Sequence, residues 1–238
     1  MEQKKLGIIG GMGPKATAVF LDMLVDHTAA ERDQDHIDMI VLNHASLPDR
    51  TSIILSGEKE RFLGAVEKDI RLLEHAGVAN IAIPCNTAHY FYQEMQAMTS
   101  VPIIHMVDET LQEIARRYGP GSKIGVLATH GTLKSGIYRE TCGKYSMRYH
   151  DIEPAMQDDV MRIIYDDVKR DNNVSPDKLE AIIRDLVERS ECQCVILACT
   201  DLSCITLSEA ARAVSIDAMA ILAKRSIERS GKTPVNLG

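Results

Sequence analysis

"KLGIIGGMGPKA", Lys5–Ala16, decides how this chain is read. An apolar run ends in a glycine-rich turn, and Pro14 stands where a helix would start. Proline suits a first helical position because its φ is already set and its missing N–H would have had no partner there. The stretch therefore reads as a strand feeding a helix. A similar stretch, "KIGVLATHGT", begins at Lys123. Working outward, "IAIPCNTAH" (Ile81–His89) and "VILACTDLS" (Val195–Ser203) are also alike: an apolar strand, then a cysteine followed by small hydrogen-bonding residues. "VPIIHMVDETLQEIARR" from Val101 is matched by "VSIDAMAILAKRSIERS" from Val214. Three landmarks keep their order at a nearly constant offset, as expected of two related halves.

Between these landmarks short apolar runs alternate with amphipathic ones. Strands are predicted at Lys5–Ile9, Ile37–Asn43, Ile81–Pro84, Ile103–His105, Lys123–Ala128, Arg148–Asp151 and Val195–Ala198, with a weak one near Ser215–Asp217. Helices are predicted at Lys15–Arg32, Lys59–Ala76, Asp108–Tyr118, Asp177–Arg189 and Ala218–Arg229. In Lys59–Ala76 the residues Phe62, Val66, Ile70 and Leu73 make an apolar stripe, and Gly77 stops the helix. Strand–helix alternation implies an α/β fold of mainly parallel sheets. The expected architecture is two pseudo-symmetric domains, each a mainly parallel sheet flanked by helices, with the active site in the cleft between them. The boundaries read as 1–107 plus 216–238, the last segment returning as a helix, and 108–215.

Bulk properties narrow the function. The 238 residues are 45% hydrophobic and 26% charged, ordinary for a soluble protein with a sizeable core. A net charge of −7 argues against general nucleic-acid binding. Aromatics are 4% with no Trp, too few for stacking platforms. No apolar run approaches the ~20 residues of a membrane span, and no signal sequence is evident. A cytoplasmic protein with reduced cysteines is expected.

In open parallel sheets, ligands sit beyond the carboxyl ends of the strands. Cys85 and Cys199 both occupy that position, so paired halves would bring two thiols to one point from opposite sides. Inverting a stereocentre needs that arrangement, with one group removing a proton from one face and another delivering a proton to the other. Asn86-Thr87 and Thr200-Asp201 would open helices, whose free N–H groups attract anions and would help keep a thiol ionised.

"GIIGGMGP", "NHASLPDRT", "PCNTAHYF", "GVLATHGT", "IYDDVKRD" and "ILACTDLS" together resemble the aspartate/glutamate racemase family, most of all its aspartate racemase branch, over essentially the whole chain. The resemblance implies a cofactor-independent, two-base racemase acting on an amino acid, usually as a homodimer. It assigns catalysis to Cys85, acting on the D-enantiomer, and Cys199, acting on the L-enantiomer. It gives Asn86, Thr87 and Thr200 to the α-carboxylate and amino group. Thr129 and Thr132 become a second polar loop, Met12 a pocket wall, and Arg50 and Lys169 the cations that neutralise the side-chain carboxylate of aspartate. The chain departs from many relatives at Ala198 (often Gly) and Asp201 (often Glu). Those changes keep two alternatives open: broader specificity that includes glutamate, or a non-catalytic amino-acid binder.

Other motifs carry less. "GGMGPKA" contains G-x-G-x-x-A, but the next strand ends in Asn43 where a dinucleotide site needs an acid. Cys192, Cys194, Cys199 and Cys204 lack the paired C-x2-C spacing of structural zinc sites, so no metal is expected. His89 and His130 lie near the cysteine and threonine loops. Each is open between tuning the site and bonding within the fold, with His89 leaning to the latter.

Overall fold

Two parallel sheets carry the molecule, and their strands run in the same order. In this computed structural model, which describes residues 4–171 and 175–236, the first half runs β1 (Leu6–Gly10), α1 (Pro14–Asp26), β2 (Met39–Asn43), α2 (Arg50–Ser56), α3 (Lys59–His75), β3 (Asn80–Ala82), α4 (Tyr92–Ala97) and α5 (Met106–Tyr118). The second runs β4 (Lys123–Leu127), α6 (His130–Ser135), α7 (Ile137–Lys144), β5 (Arg148–His150), α8 (Pro154–Arg162), α9 (Asp177–Glu188), β6 (Cys194–Leu197), α10 (Glu209–Ala213), β7 (Ser215–Asp217) and α11 (Ala218–Arg229). The first sheet is ordered β2-β1-β3 and extended by a parallel bridge from Ile81 to Ile103. The second is ordered β5-β4-β6-β7. Matching β1 to β4, β2 to β5 and β3 to β6 leaves the Ile103 bridge opposite β7. The repeat seen in the sequence is thus a repeat of topology, in an α/β fold with two parallel sheets.

The apolar pattern places the core. Phe62, Val66, Ile70 and Leu73 of α3 are fully buried with Ile9, Ile81 and Ile83 on one face of the first sheet. Leu179, Ile182, Ile183 and Leu186 of α9 cover the second sheet in the same way. A third cluster joins the halves: Leu6 and Ile8 of β1, Ile124 and Val126 of β4, and residues of α5 and α11. Helix α11 packs on α5 and α1, and ions reinforce that contact. Buried Glu113 accepts from Arg116 and Arg117 and faces Lys224 and Arg225 at 3.6 Å. The Arg116 hydrogen bond is foremost in holding the Glu113 carboxyl at about 2.

Three predicted boundaries shift, each for a local reason. Helix α1 stops at Asp26, well before Arg32. The Thr28 hydroxyl donates to the Leu24 carbonyl at 2.5 Å, and the following backbone pairs with the C-terminal segment through Ala29 N–H to Thr233 O and Val235 N–H to His27 O. The predicted strand Ile103–His105 makes only its bridge to Ile81, because His105 turns to cap α5 and accepts from the Asp108 N–H at 3.2 Å. The helices expected after Asn86-Thr87 and Thr200-Asp201 begin as 3₁₀ without side-chain caps: Thr87–Phe91 runs straight into α4, and Leu202–Cys204 is a single turn.

One glycine fixes how the first loop meets the site. Gly11 has φ +90°, and a Cβ there would lie 2.4 Å from the His44 carbonyl carbon. Only glycine lets the β1–α1 turn lie against the loop after β2. That close approach sets Met12 beside Arg50, whose Nη2 donates to the Met12 carbonyl at 3.4 Å.

Candidate active site

Cys85 follows β3 and Cys199 follows β6, the equivalent strands of the two sheets. Both thiols line one cavity, along with Asn86, Thr87 and Thr200 from their own loops. Met12, Arg50, Thr129 and Lys169 complete most of its wall. Among the expected site residues, Thr132 alone stands behind the lining: its hydroxyl lies 2.7 Å from that of Thr87. The free space is about 20 Å³, room for about one water. It adjoins an open cleft of about 520 Å³ at the start of α1, and the two share Asp49, Arg50, Lys169 and Asp201.

Two hydrogen-bond systems tie the halves together at the cavity. The Thr200 hydroxyl donates to the Pro84 carbonyl at 3.3 Å, joining the two cysteine loops directly. The hydroxyls of Thr87, Thr129 and Thr132 lie 2.7 to 3.3 Å apart, and Thr51 of α2 reaches Thr129 at 3.5 Å. Helix α6 rests against α2 because Gly131 has no side chain: a Cβ there would sit 2.6 Å from Thr51 Oγ1 and 2.7 Å from Thr51 Cα. The second of these is backbone and cannot swing aside. Gly131→Ala is expected to push α6 from α2 and to cost about 1–3 kcal/mol of stability. Thermal denaturation tests this, and an unchanged melting temperature would show that the helix contact yields freely.

Arg50 opens α2, with Asp49 as its cap accepting from the Ser52 N–H at 2.8 Å. The residue is 8% exposed, and its guanidinium donates to the Pro48 carbonyl at 3.0 Å as well as to Met12. Its Nε is buried and has no partner among the described residues, and the same holds for Asn86 Nδ2. Two donors left open around a cavity are where an anionic ligand would satisfy them.

The surroundings of Cys199 are charged. Its Sγ donates to Asp201 Oδ2 at 3.5 Å, and Lys169 Nζ lies 3.4 Å from the same oxygen. Burial first, then the Asp201 carboxylate, push the Cys199 thiol well above its ordinary value, while the Asp201 backbone N–H and Lys169 pull it down. Burial thus works against the ionisation that the loop N–H groups were expected to favour, while the Asp201 N–H acts in the expected direction. Burial works against the Lys169 charge, but Asp201, Cys199, Tyr165 and Cys85 outweigh it and raise the ammonium above its usual value. Asp201→Asn removes the charge that opposes ionisation and keeps the backbone N–H. The pH profile of Cys199 alkylation by iodoacetamide, followed by peptide mass spectrometry, is expected to move to lower pH. A profile that stays or moves upward would show that the Asp201 charge does not set this thiol's ionisation.

Other thiols sit elsewhere. Burial raises Cys142 to about 11, Cys194 to about 12 and Cys204 to about 11. His89 is buried behind Cys85, outside the cavity lining, with its ring nitrogens 2.9 and 3.2 Å from the carbonyls of Cys85 and Ile104. His130 is exposed at the start of α6. Sequence reasoning did not assign Asp49, Thr51 and Tyr165, which also line the cavity. Asp49 and Thr51 flank Arg50. Tyr165 precedes Lys169 by one turn of the π-helical segment Ile163–Asp171 and lies under its ammonium, 4.9 Å from Nζ to ring centroid. Adjacency to an already suspected cation was the available signal.

A family model described as Asp/Glu/Hydantoin racemase matches residues 9–225, and the chain belongs to that family. It is 33% identical over 231 residues to the broad specificity amino-acid racemase RacX of Bacillus subtilis (strain 168), across 93% of this chain and 96% of that protein. Its structure is similar to that of Picrophilus torridus aspartate racemase, with a TM-score of 0.84 and 31% identity over 97% of this chain and 96% of that one. Glutamate racemase from Francisella tularensis subsp. tularensis SCHU S4, solved with D-glutamate, gives a TM-score of 0.59 at 17% identity over 94% of this chain and 80% of that one, a likeness of fold alone. Among the described residues no helix is long and apolar enough to cross a membrane.

Proposed function

We propose that this chain interconverts L- and D-aspartate by two-base proton transfer, with no cofactor. The observation that carries the reading is that Cys85 and Cys199, from equivalent ends of two sheets with the same strand order, line one cavity. With L-aspartate bound, the substrate ammonium joins Lys169 and the Asp201 N–H in favouring the Cys199 thiolate against burial, and that thiolate takes the α-hydrogen as a proton and leaves the electron pair on Cα. The Cys85 thiol then protonates the opposite face and is left as thiolate, the state that serves the reverse reaction. Asn86 Nδ2 donates to the α-carboxylate, joined by the hydroxyls of Thr87 and Thr129, with Thr132 backing Thr87. The Thr200 hydroxyl spends its hydrogen on Pro84, so its lone pairs face the substrate ammonium. Arg50 Nε and the remaining Lys169 hydrogens hold the side-chain carboxylate, and Met12 walls the pocket. Donors fixed in a closed, dry site stabilise the carbanion-like charge better than water does.

Aspartate is larger than the free space between the thiols, so it enters from the adjoining cleft as the side chains there part. The halves that part would be divided near the expected 1–107 with 216–238 and 108–215, except that β7 stays paired with β6 in the second sheet, and a homodimer is the expected assembly, read from sedimentation velocity. The test of the reading is incubation with L-aspartate in heavy water. D-aspartate bearing deuterium at Cα is the expected product. No deuterium uptake would leave a non-catalytic binder.

A second reading is favoured by one observation. The end of the cavity that would take the side chain carries two acids, Asp49 and Asp201, against two cations, Arg50 and Lys169, and opens into the larger cleft. That balance suits broad specificity, including glutamate. Chiral chromatography after incubation with L-aspartate, L-glutamate and neutral amino acids separates the two readings.

A further inference from the structure

Tyr138 of α7 lies outside the cavity lining and 1% exposed in the core that joins the halves. Its phenol donates a 2.5 Å hydrogen bond to Asn86 Oδ1. No other hydrogen-bond acceptor for this phenol is found among the described residues. Burial raises the phenol well above its ordinary value, so it stays protonated and remains a donor. A donor must meet the oxygen end of the Asn86 amide. The nitrogen end then points the other way, and Nδ2 is the atom left buried without a partner. Asn86 itself lines the cavity beside Cys85.

We infer that Tyr138 is a positioning residue: from the second half of the molecule it fixes which end of the Asn86 amide the first half presents to the substrate carboxylate. This rests on the racemase reading above, in which Asn86 Nδ2 donates to that carboxylate. Without the phenol, Oδ1 loses the one donor it has among the described residues and the amide is free to turn. An oxygen facing the cavity repels the group that a nitrogen attracts. Phenylalanine fills nearly the same volume, so the exchange removes one hydrogen bond and little packing.

The test is a double-mutant cycle with a readout that needs no substrate. Tyr138→Phe is expected to raise KM, and the calorimetric Kd for L-aspartate, about tenfold, the scale of a lost hydrogen bond to a charged group. In an Asn86→Ala background the same change is expected to shift either by less than about twofold, because the two residues act as one unit. A general packing defect would instead lower affinity equally in both backgrounds, and that result overturns the inference. In substrate-free protein, the Asn86 side-chain amide signals, assigned by their loss in Asn86→Ala, are expected to move toward averaged values in Tyr138→Phe. Unchanged signals overturn the inference whether or not the chain racemises aspartate. Failure of the racemase reading looks different: wild-type protein would leave the α-hydrogen unexchanged while the amide signals still shifted.

Discussion

Cys85→Ala and Cys199→Ala are each expected to lose racemisation in both directions, by about a thousandfold or more, since each direction needs one thiol to take a proton and the other to give one. The two losses should differ in kind. Cys85→Ala keeps Cys199, which can still remove the α-hydrogen of L-aspartate and return solvent deuterium to the same face. L-aspartate should then exchange without inverting, and D-aspartate should be inert. Cys199→Ala should reverse this pattern. Neither thiol is a packing anchor on the scale of the fully buried Phe62 or Ile70, so the fold should survive both changes. Nuclear magnetic resonance of the α-hydrogen, run beside chiral chromatography, reads exchange and inversion separately. Racemisation at the wild-type rate in either variant would end the two-base account.

Arg50→Ala is expected to raise KM for aspartate by about ten- to a hundredfold, the usual range for losing a hydrogen bond to a charged group. Part of the effect is structural, because the carbonyls of Pro48 and Met12 lose their donors as well. L-alanine, which has no side-chain carboxylate, separates the two parts: any structural cost falls on both amino acids, and recognition of the side chain falls on aspartate alone. If KM rises equally for both, Arg50 supports the loop and does not select the substrate. If neither rises, the open Nε has no part in binding.

Much of this molecule was legible because its pattern is written twice. That the two sheets share one strand order follows from the matching of Lys5 with Lys123, Cys85 with Cys199 and Val101 with Val214. The long helices showed themselves through stripes such as Phe62–Leu73. The gathering of Cys85, Cys199, Asn86, Thr87 and Thr200 was expected from their places after strand ends taken together with the repeat. The pairing of Lys169 with Asp201 was not legible, because no spacing rule links residues so far apart in the chain. The short helices α2, α6, α7 and α8 are too brief or too polar to show a stripe. The burial that opposes Cys199 ionisation was not legible for a different reason: sequence shows which groups stand next to a thiol, but burial is a property of the whole packed structure. Tyr138 was invisible on the same grounds, since its partner is fixed only when α7 packs across the halves.

The direct bond from Thr200 to the carbonyl before Cys85 has a consequence for how such a protein can drift over generations. The two loops that carry the sulfurs meet directly at that bond, in addition to the core that joins the halves. Exterior helices can then be rebuilt, lengthened or recharged with little detuning of the chemistry. An exchange at Thr200 that loses the hydroxyl, small as it looks, removes this link, whereas the carbonyl at position 84 is present whatever the residue.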